Sequence, residues 1–286
     1  GPPMGPLRER IEELAAQLQG LAADGARARP VLVYFDIVGI AWPIRCLLHA
    51  AGVDYEYIQI TAEEWFGFRQ DGSEEPVGPK LKDLFVNTHI PRYVDADVDL
   101  SQSLVIMQYL AKKHGLYGDS LTEELRIQEV MCHCYDAVFQ FSGLFRVNFK
   151  YGKPRDHADE ELKKFLRGGQ NSYQMQLAGF TRYLGLNKTG SGFMVGTRLS
   201  IADLHAFNVL ANWFKAFDRA LFTTVAPELD VYINHIAVLP AVSHYIRHKQ
   251  EPTLWFPGEF GAKMMHRLTT PEELQGLTTL GPEPGP

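Results

Sequence analysis

Residues 31–60, VLVYFDIVGIAWPIRCLLHAAGVDYEYIQI, decide the fold. Residues 31–35 form a run of β-branched and large apolar side chains with the length of a buried strand. Gly39 lies in the turn that follows. Residues 43–51 have helical spacing, with Pro43 at the first position, where a missing N–H costs nothing, and Gly52 as the stop. Residues 55–60 then alternate as a second strand. Strand, helix and strand in so short a span make a βαβ unit with parallel strands.

Downstream, residues 61–79 read as a loop carrying Trp65 and the Gly/Pro/Glu-rich DGSEEPVGP. Residues 92–94 and 98–100 flank a turn at 95–97 and predict a hairpin, and the helix LVIMQYLAKKHG starts just after Ser103. A parallel pair, a hairpin and a helix assemble as a mixed four-stranded sheet with helices packed on it, the thioredoxin-like α+β arrangement. Past Leu116 the pattern changes class. Residues 121–145, 158–184, 201–217 and 229–248 show helical spacing without a comparable strand pattern between them, which predicts an all-α helical bundle. In LSIADL, Ser200 stands where an N-cap belongs, Asp203 answers it as in a capping box, and Leu199 and Leu204 form the staple, a structural signature rather than a chemical one.

Upstream, Leu7, Ile11, Leu14, Leu18 and Leu21 alternate at spacings of four and three, one apolar stripe on a helix. That stripe suits a helix laid on the body of the protein or a contact helix for a partner. The expected division is 1–29 (amphipathic helix and linker), 30–116 (thioredoxin-like domain), 117–260 (helical domain) and 261–286 (an extension ending in GPEPGP).

A net charge of -6 leaves no basic stripe for nucleic acid and offers little to a membrane surface. No apolar run reaches the roughly 18 residues needed to cross a bilayer, and the N-terminus lacks a signal-peptide pattern, so a cytosolic protein is expected. The odd count of 3 cysteines argues for a reducing compartment. Cys132-His133-Cys134 is not read as a metal site, because residues two apart on a helix diverge and no second ligand pair follows. Cys46 reads as a small core residue.

The segments IPRYVDADVDLSQSLVIMQYLAKKHGL (90–116) and GTRLSIADL (196–204), in a chain of this two-part build, resemble the glutathione transferase superfamily over residues 31–256. YFDIVGIAWPIR is similar to its tyrosine-type classes, most of all the sigma-like class that includes haematopoietic-type prostaglandin D synthases and lens S-crystallins. The resemblance implies a homodimer without metal, with glutathione as co-substrate and a small apolar electrophile as second substrate. It implies that Tyr34 donates a hydrogen bond to the glutathione thiol, and that the Ile90-Pro91 bond is cis so that backbone pairs with the cysteinyl residue. Gln102 and Ser103, before a helix, are implied to take the γ-glutamyl carboxylate; simple N-capping by Ser101 or Ser103 is the plainer reading of the same residues. Trp65, with Lys80 or Lys82, corresponds to the glycyl end, and Asp136 to an acidic residue that reaches the γ-glutamyl amine across the dimer.

Between Tyr34 and Pro43 there is no other Tyr and no Ser, Thr or Cys, so Tyr34 is the hydroxyl of this stretch, and thioredoxin-like cysteine chemistry is absent from it. A packing role alone is the alternative. Lowering a thiol pKa by about two units takes roughly 2.7 kcal/mol, within reach of one hydrogen bond to a charged group at about 1.5–3 kcal/mol. The family pattern has Arg six residues past the tyrosine and Glu two further on; here Ile40 and Trp42 stand instead, which predicts a weaker or differently arranged activation and a more apolar mouth. Ile37, Val38, Ile40 and Trp42 could face Phe139, Phe141 and Phe145 around an apolar substrate. Isomerisation with glutathione regenerated, or a ligand-binding or structural relative of low activity, are the alternative functions.

Overall fold

The computed structural model describes residues 5–21, 29–67, 76–149, 165–166, 172–216 and 219–248, with side chains described except at 141–149 and 248. The chain forms two compact units, which among these residues divide between Leu110 and Ala111.

In the first unit, β1 (Val31–Phe35) is central in a four-stranded sheet of order β2-β1-β3-β4. It runs parallel to β2 (Glu56–Ile60) and antiparallel to β3 (Arg92–Val94), which pairs antiparallel with β4 (Asp99–Ser101). Its central position explains its unbroken apolar run, since both faces of the strand are covered. The hairpin turn extends through Val98, so β4 starts one residue later than expected. The Asp95 carboxylate accepts the N–H groups of Asp97 and Val98, and the Asp95 N–H reaches the Val98 carbonyl.

The first helix, α1 (Gly5–Gly20), buries Ile11, Leu14 and Leu18, and Leu21 continues the stripe just beyond it. These four join Val33, Trp65, Val77, Leu81, Phe85 and Ile90 in one apolar cluster, so the stripe is spent within this unit. Helix α2 (Trp42–Ala50) carries Pro43 in its first turn and stops at Gly52, whose φ is +66. The segment expected as loop contains α3 (Ala62–Phe66), set by a reciprocal capping box: the Thr61 N–H donates to Glu64 Oε2 at 2.7 Å and the Glu64 N–H to Thr61 Oγ1 at 3.2 Å. A 3₁₀ turn at Leu81–Leu84 follows. Helix α4 (Ser103–Lys113) leads out of the sheet.

The second unit is helical: α5 (Leu121–Phe149), α6 (Tyr173–Leu186), α7 (Ile201–Phe207) running on as a π-helix at Asn208–Lys215, α8 (Arg219–Val225), α9 (Pro227–Ala237) and α10 (Pro240–His248). Two expected helices are interrupted, and one helix appears where none was expected. The predicted helix 158–184 is interrupted at Ser172, which is extended and caps α6 with its Oγ accepting the Met175 N–H at 3.2 Å; residues 165–166 are helical, and 158–164 and 167–171 lie outside the described residues. The predicted helix 229–248 is two, because Pro240 lacks the N–H that continuity needs. Helix α8 (Arg219–Val225) starts on the good helix formers Arg219, Ala220 and Leu221, buries Phe222 and ends in the weaker Thr223, Thr224 and Val225.

The GTRLSIADL motif fastens this unit internally. Arg198 bonds the Asp119 carboxylate and the carbonyls of Gly115 and Tyr117, and the Ile201 N–H meets the Leu116 carbonyl at 2.9 Å. The buried Asp203 carboxylate accepts from the Ser200 N–H and hydroxyl (both 2.9 Å), the Met194 N–H (2.8 Å) and the Tyr232 hydroxyl (3.1 Å). It is thus more than a capping box: one carboxylate ties a loop, a helix start and α9. The linker residues 24–28, part of DGSEEPVGP, the side chains of Phe141 and Phe145, and the 261–286 extension lie outside the described residues. No helix among the described residues is long and apolar enough to cross a membrane.

Burial pushes the Asp203 carboxyl up to about 6 despite those donors. A folded-state value above the ordinary one means the folded chain binds this proton more tightly, so its contribution to stability is complete at acid pH and is lost as pH rises through about 6. Asp203→Asn is expected to destabilise by about 1–3 kcal/mol, since Asn cannot accept all four bonds. The Tm gap between wild type and variant should be wider at pH 5 than at pH 7.5; a gap that narrows at pH 5 would contradict this assignment.

Candidate active site

Tyr34 is the fourth residue of β1 and is 5% exposed. The chain turns sharply after Phe35, the Ile37 N–H meeting the Phe35 carbonyl at 2.8 Å, and passes through Gly39 at φ +47. Glycine is required there twice over. The backbone is left-handed, and a Cβ would lie 2.4 Å from the Tyr34 hydroxyl. With glycine in place the chain passes along the tyrosine ring, and the Ile40 N–H donates to Tyr34 Oη at 3.2 Å.

Desolvation raises the Tyr34 hydroxyl to about 12, with the Ile40 N–H and the Arg45 charge opposing that rise. The group therefore stays protonated across the neutral range. One of its lone pairs takes the Ile40 N–H, and no acceptor among the described residues takes its proton. A buried hydroxyl polarised by one donor, with its own proton to give, suits an anion such as a thiolate.

Arg45 holds the turn. Fully buried in α2, it donates to the carbonyls of Ile37 (3.2 Å) and Val38 (3.0 Å) and to the Tyr57 hydroxyl (3.1 Å), with its guanidinium 5.5 Å from the Tyr57 ring centroid. Tyr57 in turn donates to the Phe35 carbonyl at 2.7 Å. A guanidinium is out of water here because carbonyls and a ring satisfy it. Sequence reading missed Arg45 and Tyr57. The available signal was one permanent charge inside the apolar helix WPIRCLLHA.

The register gathers the remaining candidates. The β1–β3 ladder ends with Val33 opposite Arg92, and the β3–β4 ladder with Arg92 opposite Ser101. The next residues along these strands are Tyr34, Pro91 and Gln102, a row across three adjacent strands that spans about 10 Å at ~4.8 Å per strand. Within that row the Ile90-Pro91 bond is cis, as the resemblance implies, and Gln102 has φ +80, an uncommon conformation for a residue other than glycine. Ser103, 3% exposed, begins α4, whose first N–H groups point toward the same end.

Trp65 stands in the core rather than at a surface, 5% exposed and edge-on to Phe35 (5.8 Å) and Phe85 (5.0 Å). Lys80 is exposed and Lys82 half-buried beside the 3₁₀ turn, and among the described residues neither ammonium has a partner. Ile37, Val38 and Trp42 are buried, and Ile40 is the one of that set that retains accessible surface. Asp136 and Phe139 are exposed on α5, in the second unit, where Phe139 stacks on Tyr135. On the same helix, Cys134 is buried, Cys132 is exposed and His133 turns to the Gln176 carbonyl at 3.1 Å, so the three diverge.

The family model described as Glutathione S-transferase, N-terminal domain matches residues 30–112, and that described as Glutathione S-transferase, C-terminal domain matches residues 146–249. The chain is similar to a glutathione S-transferase of Tyrophagus putrescentiae, 31% identical over 235 residues, covering 80% of this chain and 94% of that protein. It is also similar to glutathione S-transferase P 1 of Xenopus laevis, 29% identical over 217 residues, covering 76% and 91%. The solved structure of prostaglandin synthase D of Nilaparvata lugens shares the fold, with a TM-score of 0.63 at 20% identity, covering 78% of this chain and 100% of that one.

The left-handed Gln102 offers a test independent of any ligand. Gln102→Gly removes a conformational cost on the order of 1 kcal/mol, offset by the greater backbone freedom of glycine when unfolded. Its Tm should equal or slightly exceed that of wild type. A fall of several degrees would mean that the glutamine side chain serves the fold.

Proposed function

The chain belongs to the glutathione S-transferase family, and from that premise we propose that it binds glutathione along the Tyr34–Pro91–Gln102 row and activates its thiol with the Tyr34 hydroxyl. The observation that carries this reading is the buried Tyr34 hydroxyl, which accepts the Ile40 N–H and keeps its own proton to donate. A cysteinyl thiol is ordinarily near 8.5, so only a few per cent is thiolate at neutral pH. One donor to the thiolate stabilises the charged form alone, which is what lowers a pKa. Ile40, in place of the family's Arg, supplies its backbone N–H, and Arg45 supplies a buried positive charge behind the turn.

The rest of the tripeptide follows the sheet. Backbone beside the cis Ile90-Pro91 bond pairs with the cysteinyl residue as an added strand would. Gln102 and the N-terminus of α4 at Ser103 take the γ-glutamyl carboxylate, the favourable end of a helix for an anion. Lys80 or Lys82 takes the glycyl carboxylate, and Trp65, given its burial, acts by supporting that segment. The activated thiolate attacks a small apolar electrophile: the new bond is sulfur to carbon, and the leaving group departs with the electron pair. Ile40 offers accessible apolar surface for that substrate. The functional unit is proposed as a cytosolic homodimer in which Asp136 completes the other subunit's γ-glutamyl site.

A second reading, a ligand-binding relative of low turnover, draws on Ile40 and Trp42 standing where the family has charged groups. Kinetics separates the two. Tyr34→Phe should cut kcat/KM toward a chlorodinitrobenzene-type electrophile about tenfold or more at pH 6.5 and converge on wild type above about pH 9, with little change in glutathione affinity. Superimposable pH profiles would remove Tyr34 from the chemistry. Turnover near the uncatalysed rate together with a Tm raised by millimolar glutathione would favour the ligand-binding reading.

A further inference from the structure

We propose that α1 is a positioning element for the glutathione site, holding α3, residues 76–90 and the start of β3 in the conformation that receives the peptide; this rests on the proposed site. Three contacts, one at each of these parts, carry the inference. Near the middle of α1, Ile11 packs on Gly78, where a Cβ would come within 3.2 Å of Ile11 Cγ2 and 3.3 Å of Cδ1. Gly78 lies between Trp65 and Lys80, and the Val77 N–H beside it bonds the Gly67 carbonyl at 2.9 Å. One residue earlier on α1, Arg10 lies 3.6 Å from the buried carboxylate of Glu64, the residue that closes the cap of α3 next to Trp65. At the far end, the Leu18 carbonyl accepts from Arg92 Nη1 at 3.2 Å.

Arg92 immediately follows the cis Pro91, and the same guanidinium grips Asp99 on β4 at 2.8 and 2.7 Å. Between these ends, Leu14 and Leu18 share one apolar cluster with Trp65, Leu81, Phe85 and Ile90. The helix therefore spans the cap of α3, the approach to Lys80 and Lys82, and the start of β3. Those are the parts that present the proposed glycyl and cysteinyl contacts, while the Tyr34–Ile40 bond is formed by the β1–α2 turn alone. Loosening α1 should then weaken glutathione binding more than it slows the bound complex.

The Ile11–Gly78 contact allows a double-mutant cycle that separates positioning from bulk stability. Ile11→Ala, Gly78→Ala and the double variant are compared at a temperature well below the lowest Tm, with Val242→Ala in α10 of the second unit as a control for lost stability. Each single variant should raise glutathione KM about five- to tenfold with kcat within about twofold and electrophile KM unchanged. In the double variant the added methyl meets a shortened side chain, so KM should lie nearer to wild type than the product of the two effects. Val242→Ala should leave glutathione KM unchanged at a comparable Tm loss. Unchanged KM in the single variants, or a rise matched by Val242→Ala, would overturn the positioning role while leaving the site itself standing. No calorimetric binding of glutathione by the full wild-type chain would overturn both.

Discussion

A tyrosine hydroxyl buried away from water must have its hydrogen bonds arranged by the protein, and the Ile40 N–H arranges one of them. The rest of the site depends on that bond. It forces the backbone of residues 39–40 against the ring, which only glycine permits at position 39. It needs the preceding carbonyls to be anchored, which the buried Arg45 does by taking two of them. And it leaves the hydroxyl proton directed elsewhere. Burial pushes Tyr34 up to about 12, which keeps the hydroxyl protonated, as the proposed donor role requires.

The sheet supplies the second constraint. Register across β1, β3 and β4 sets Tyr34, Pro91 and Gln102 level with one another, although they come from positions far apart in the chain. An extended tripeptide covers about 10 Å at ~3.3–3.6 Å per residue, the same scale as three strands. That match supports the proposed placement of one motif against each part of the ligand. It also accounts for the left-handed Gln102: the chain must turn from β4 into α4 within one residue if Ser103 is to begin the helix beside the row.

Much of the fold is legible in the sequence where a signal is local and repeated. The βαβ unit follows from VLVYF, Pro43 and the alternation of residues 55–60; the hairpin follows from its Asp-rich turn. Short elements escape, because five residues at α3 or seven at α8 are too few for a period to stand out. A single Ser172 or Pro240 outweighs an apolar pattern that continues across it. At the site, the sequence names Tyr34, Pro91, Gln102 and Ser103 through their motifs, but the row they form depends on strand register, a long-range property. Arg45 was hidden for a different reason: a charge is assumed to face solvent, and only the three-dimensional structure reveals the carbonyls that let this one be buried. Trp65, which the resemblance assigns to the glycyl end, stands in the core between Phe35 and Phe85.

The account rests on stabilisation of one thiolate by one hydroxyl. Titrating the ultraviolet thiolate absorbance of glutathione bound to the wild-type chain measures it without a second substrate. The bound thiol should titrate about one to two units below its free value near 8.5, equivalent to roughly 1.4–2.7 kcal/mol. A bound thiol that titrates at its free value would contradict the claim that the Tyr34 hydroxyl activates it.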